Sequence, residues 1–234
     1  DGYNFIGWYE NDFSSQYSFA NMPANNVDLI GYWQIINYTI EYIVDGGINN
    51  TQNPISYTVE DDEILLIEPT KFAYTFLGWY DNPEFSGDAI TSISQGSFTN
   101  FVLYAKWQIN EYTIAFDSNF GTSIEPIIQN YATPVTAPSN PVRQGYTFAG
   151  WYSDSSFTSS FTFNLMPAAN IILYAKWNPN VYITTYVLNN GEDNIVEVDY
   201  AGSDLLLPVY AGYEFAGWYT DEALKIPYNS TTFP

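Results

Sequence analysis

Gly145-Tyr146-Thr147-Phe148-Ala149-Gly150-Trp151-Tyr152, answered further on by Leu173-Tyr174-Ala175-Lys176-Trp177, is the stretch whose reading decides the fold. Its Gly-Trp-Tyr core recurs at Gly7-Trp8-Tyr9, Gly78-Trp79-Tyr80 and Gly217-Trp218-Tyr219, so that successive tryptophans stand 71, 72 and 67 residues apart. A fixed period in the tens of residues marks a tandem array. Working outward from each core gives four segments: 1–36, the C-terminal part of a repeat; 37–110 and 111–180, complete repeats; and 181–234, a repeat lacking its closing strand. The chain opens inside a repeat and ends at Pro234, where the Met-Pro landmark of Met166-Pro167 would fall, and therefore reads as a piece of a longer polypeptide.

Each repeat begins with a β-branched and aromatic run: Tyr38 to Val44, Tyr112 to Phe116, Tyr182 to Leu188. Such residues favour a pleated, half-buried surface and predict first strands. Turn chemistry follows at Asp45-Gly46-Gly47 and Asn189-Asn190-Gly191, and second strands are expected through Ile55 to Val59 and Ile195 to Tyr200. A proline-punctuated crossover then leads to the Gly-Trp-Tyr strand. A short helix is expected over Glu60 to Ile67 or Ser203 to Leu207, while Pro134 and Pro138 argue against a long one in the 111–180 segment. Simple alternation puts Tyr146, Phe148, Gly150 and Tyr152 on one face and Thr147, Ala149 and Trp151 on the other, with Gly150 making room for a neighbouring aromatic ring. In the closing strand Leu173, Ala175 and Trp177 share one face. The step from Trp33 to Tyr38 is repeated from Trp107 to Tyr112 and from Trp177 to Tyr182, so the joints have constant length and predict a semi-rigid rod.

The fold class is thus predominantly β with little helix, in small modules of about 70 residues that need dense aromatic packing to hold a core. Seven tryptophans, Trp8, Trp33, Trp79, Trp107, Trp151, Trp177 and Trp218, are read as the structural core of the repeats. Cysteine and histidine are both absent, which removes disulfides, thiolate sites and the commonest general base. With 26 acidic against 5 basic residues the chain repels nucleic acid and anionic membrane, and no apolar run reaches the length of a membrane span. No cofactor is expected.

The Gly145 to Tyr152 motif, Met166-Pro167-Ala168-Ala169-Asn170-Ile171 and Leu173 to Trp177 together resemble the Listeria-Bacteroides repeat family, the B-repeat type of internalin-like bacterial surface proteins. The resemblance covers essentially the whole chain. It implies a small β-grasp-like module in tandem copies on secreted or cell-wall-attached proteins that serve as adhesins or spacers, with no catalytic residues to carry over. Two departures stand out: Ala73 replaces the glycine of the Gly-Tyr opening, and Tyr32 replaces the lysine of the closing strand.

Few constellations point to chemistry. Glu60-Asp61-Asp62-Glu63 is the densest acidic cluster, but it has no counterpart in the next repeat and reads as a solvated face, with weak calcium binding as the alternative. Four of the basic residues occupy matched places: Lys71 and Arg143 before the core tyrosine, Lys106 and Lys176 in the closing strand. They read either as a repeated ligand contact or as ion pairs and ring contacts inside each unit. The expected function is a non-enzymatic stalk or adhesive segment at a bacterial cell surface, contacting an unnamed protein or glycan. Carbohydrate binding and self-association through edge strands are the alternatives.

Overall fold

The computed structural model describes residues 1–10, 13–18, 21, 24–200 and 202–232. The first Met-Pro landmark, Met22-Pro23, and the terminal Pro234 lie outside the described residues. The chain divides into two compact units, Asp1–Asn110 and Glu111–Pro234. The described residues contain strands and turns but no helix.

The first unit holds β1 (Tyr3–Tyr9), β2 (Ile30–Ile35), β3 (Tyr38–Ile43), β4 (Ser56–Tyr57), β5 (Ile64–Leu65), β6 (Tyr74–Tyr80), β7 (Ser92–Ile93) and β8 (Phe101–Ile109). β1 and β2 form an antiparallel pair. The 37–110 segment forms a four-stranded sheet in the order β4-β3-β8-β6, whose first and last strands, β3 and β8, run parallel at the centre. The second unit repeats the plan with β9 (Glu111–Asp117), β10 (Ile127–Asn130), β11 (Tyr146–Tyr152) and β12 (Ile171–Pro179), ordered β10-β9-β12-β11. The hairpin of β13 (Val181–Tyr186) and β14 (Ile195–Tyr200) follows.

The expected crossover helices are replaced by extended chain. Ile64 and Leu65 pair antiparallel with Ile93 and Ser92, and isolated bridges join Pro134 to Leu165 and Asp204 to Thr232 at corresponding places. The physical reason is burial on one side only. Ile64 and Leu66 turn to the core while Leu65 stays exposed, an alternation with the strand period of two, not the helical 3.6. Each core is closed between the large sheet and this second layer. One contains Ile40, Tyr57, Trp79, Ile93, Leu103 and Ala105; the other contains Ile114, Val135, Trp151, Met166, Leu173 and Ala175.

The Gly-Trp-Tyr strand departs from simple alternation. Register shifts fall between Phe5 and Gly7, Phe76 and Gly78, and Phe148 and Trp151, so each of these copies carries a β-bulge. The bulge changes the phase of the pleat and sends both Phe148 and Trp151 to the core, with ring centroids 5.4 Å apart. Gly150 is required by its backbone, at φ 115°, and not by a ring. A Cβ there would meet only Tyr152, at an ordinary 4.0 Å. Close approach is instead the business of Gly47 and Gly121, where a Cβ would come within 2.8 Å of the Trp107 ring and 2.5 Å of the Trp177 ring.

The residue after each closing strand is tied back to its own repeat in one pattern. The amides of Ile36, Asn110 and Asn180 donate back to the carbonyls of Gly2, Ala73 and Gly145. In the first unit the Tyr3 hydroxyl also donates to Glu60 Oε1 at 2.6 Å, tying the β1–β2 pair to the turn after β4. Ala73 keeps the left-handed backbone that glycine holds in the other copies, at φ 60°.

Candidate functional site

The matched cations form two kinds of cluster. At the first, Lys71 lies over the Tyr74 ring at 4.4 Å, and its Nζ donates to the Asp45 carbonyl at 2.7 Å and to Asp45 Oδ2 at 3.2 Å. The turn that supplies these acceptors is held by Trp107, whose indole Nε1 donates to the Val44 carbonyl at 3.0 Å. The next repeat rebuilds this with different residues. Arg143 stacks on Tyr146 at 3.8 Å and on Phe120 at 5.4 Å and donates to the Asn119 carbonyl, while the Trp177 indole donates to Ser118 O at 2.9 Å.

At the second kind, on the other face of the closing strand, Lys106 lies 5.0 Å from the Tyr80 ring and 5.7 Å from Phe85. Lys176 lies 5.0 Å from Tyr152, which meets Phe157 edge-on. The tight turn after Gly-Trp-Tyr presents that second ring from Phe13, Phe85 and Phe157, and Leu224 holds the same place without a ring; all four take φ near 55°. Asp154 fastens one such turn by accepting the amides of Ser156, Thr158 and Ser159, and these bonds, that from Thr158 foremost, hold its carboxyl below the usual carboxylate range.

The departures from the lysine pattern are informative. Tyr32, in place of the closing-strand lysine, packs against the same pair of rings, 5.5 Å from Tyr9 and 5.9 Å from Phe13. Tyr210, in the place of Lys71 and Arg143, stacks on Tyr213 at 5.0 Å with an interplanar angle of 26°. Where the charge is lost, the ring contact stays. Residue type alone does not single out Tyr210 or the apolar residue after each Gly-Trp-Tyr, and their signal in the sequence is matched position.

The tryptophans form a repeated triad with phenylalanine. Phe76 lies 5.4 Å from Trp79 and 5.5 Å from Trp107, and Phe148 stands in the same relation to Trp151 and Trp177. Phe5 with Trp8 and Trp33, and Phe215 with Trp218, repeat the contact, but Trp8 and Trp33 remain 42% and 57% exposed and so are not core in this chain. Trp79 and Trp151 are buried, and the Trp151 indole nitrogen has no hydrogen-bond partner among the described residues.

Three of the four side chains of the acidic run accept hydrogen bonds within the first unit. Glu60 accepts from Tyr3, Asp61 Oδ2 from the Thr58 amide, and Glu63 from Ser92 Oγ. Among the described residues no three acidic side chains gather as a metal site would require. Two grooves lie in the 181–234 segment, one of about 410 Å³ between Leu188, Asn189 and the Tyr213 to Ala216 stretch, the other of about 240 Å³ beside Tyr186 and Trp218.

Comparison with known families gives a match to the Listeria-Bacteroides repeat domain over residues 1–30, 38–106, 112–176 and 182–233. The chain belongs to that family. Among relatives of this Listeria-Bacteroides repeat chain, a protein of Evansella cellulosilytica provisionally named a Gly-rich membrane protein is 30% identical over 231 residues, covering 96% of the chain and 26% of the relative. Internalin H of Listeria monocytogenes is 33% identical over 147 residues, 61% of the chain and 25% of the relative. The repeats here thus span about a quarter of the length of these relatives. Among the described residues no helix is long and apolar enough to cross a membrane.

Proposed function

We propose that this segment is a non-enzymatic spacer and protein-contact region of a bacterial cell-surface protein, built of β-grasp-like repeats bounded at 1–36, 37–110, 111–180 and 181–234. The observation that carries the reading is the internal use of the scarce cations. Lys71, Lys106, Arg143 and Lys176 all lie over rings of their own repeat, and Tyr32 and Tyr210 keep the ring contact without the charge. Groups kept for an external ligand would not be replaceable by a neutral ring. A central parallel pair flanked by antiparallel neighbours supports the β-grasp-like description, and membership in the repeat family supports the surface setting. At the matched positions the cations cover Tyr74, Tyr80, Tyr146 and Tyr152, so these four rings do not support the carbohydrate reading.

A spacer must hold its ends apart. A compact chain of 234 residues has a radius of gyration of roughly 17 Å. Small-angle scattering of the chain is expected to give a clearly larger value with a rod-like cross-section, and a compact radius would remove the spacer reading. Sedimentation of the same sample separates it from self-assembly through edge strands, which requires mass growing with concentration.

A further inference from the structure

We propose that each complete repeat is a force-resisting clamp, in which tension along the chain shears the parallel pair formed by its first and last strands. The inference rests on the spacer reading and adds a mechanical property to it. In the 37–110 segment the chain enters through β3 and leaves through β8, and these are hydrogen-bonded neighbours in parallel register, Ile40 to Ile43 beside Phe101 to Tyr104. In a parallel pair the start of one strand and the end of the other lie at opposite ends of the ladder, so a pull on the two runs along the strands. Every rung is then loaded at once. β9 and β12 repeat the geometry, with Ile114 to Asp117 beside Ile171 to Tyr174.

Both ladders carry the same side-chain ties beyond their ends. At one end the Thr39 amide donates to Asn100 Oδ1 and the Thr113 amide to Asn170 Oδ1, each at 2.8 Å. At the other end the Trp107 and Trp177 indoles reach across from the last strand to the carbonyls of Val44 and Ser118, just after the first. Ile40, Leu103, Ile114 and Leu173 beneath are at most 3% exposed, which bars water from that side of the rungs and from replacing a bond as it stretches. The β1–β2 and β13–β14 pairs are loaded differently. They are antiparallel, Tyr3 facing Ile35 and Val181 facing Tyr200, so the same pull peels them one rung at a time. The chain contains its own control.

The test is to stretch the 234-residue chain between terminal cysteine handles, which are unique because the chain has no cysteine. Low-force opening of the hairpins is expected first, then two events at severalfold higher force, each releasing about 70 residues or roughly 230–250 Å of contour before the folded span is subtracted. Release of the complete repeats at the force of the hairpins would overturn the clamp. A second comparison guards against mere stability: Asn100→Ala with Asn170→Ala is expected to lower both high-force events, and Asp154→Ala, in a turn off the load path, to leave them in place. An equal fall in both variants would likewise overturn it. A compact radius in scattering bears on the spacer reading alone and leaves the force peaks as the measure of the clamp.

Discussion

Gly150 has room for a side chain and lacks only a backbone that would accept one. At φ 115° it lies beyond the left-handed region that alanine tolerates, in space occupied almost solely by glycine. Gly150→Ala is therefore expected to destabilise the second unit by about 1–3 kcal/mol through strain alone, read as a shift in the denaturation midpoint. An effect near zero would mean that the bulge relaxes easily and does not fix Trp151. The cation clusters give the opposite expectation. Because Tyr32 already takes the lysine place in one copy, Lys106→Tyr should cost under about 0.5 kcal/mol, and Lys106→Ala, which removes the contact, about 0.5–1 kcal/mol. A larger loss for tyrosine than for alanine would show that the charge, and not ring coverage, matters.

The turn after Gly-Trp-Tyr is the element whose chemistry differs between repeats while its shape does not. Asp154 accepts its backbone amides as a carboxylate, whereas Asn82 accepts the Ser86 amide at the corresponding place as a neutral amide. The Asp154 carboxyl titrates below its ordinary value, so its contribution is present above the unfolded-state pKa and is lost as pH falls through the lower, folded value. Hydrogen exchange of the Thr158 and Ser159 amides should accelerate, relative to the intrinsic rate, on acidification below about pH 4, and that of Ser86 should not. Parallel behaviour of both turns would rule out the carboxylate as the cause. At this scale much of the plan was legible from residue type: the first strands, the Gly-Trp-Tyr strands β6 and β11 and the closing strands β8 and β12 come from β-branched runs and apolar alternation, and Leu173 and Ala175 do share a buried face. What was not legible is long-range. Nothing local to Tyr38–Ile43 says that its neighbour is Phe101–Ile109 in parallel, and the aliphatic run Ile64 to Ile67 reads as helix until its partner Ser92–Ile93 is known. The bulge was hidden for a related reason, since one extra residue reverses every later side chain without altering composition.

For the molecule as a whole, charge governs how copies meet. At −21 the chain repels its copies at neutral pH, and that repulsion stands against a surface bearing Ile48, Ile55, Phe72 and Phe120, each at least 74% exposed. Apolar side chains this open associate once the field is removed. Protonation removes it as the pH approaches the isoelectric point that the composition sets, about 4.1. Salt acts more gently, because at about 1 M the screening length shrinks to roughly 3 Å while the carboxylates keep their charge. Dynamic light scattering should therefore find single chains at pH 7 and low salt, a modest rise in apparent size at pH 7 and high salt, and strong association near pH 4. A sample that stays monodisperse at pH 4 would show that these residues are screened from one another by shape and not by charge, and the acidic composition would then need another explanation than keeping neighbouring copies apart.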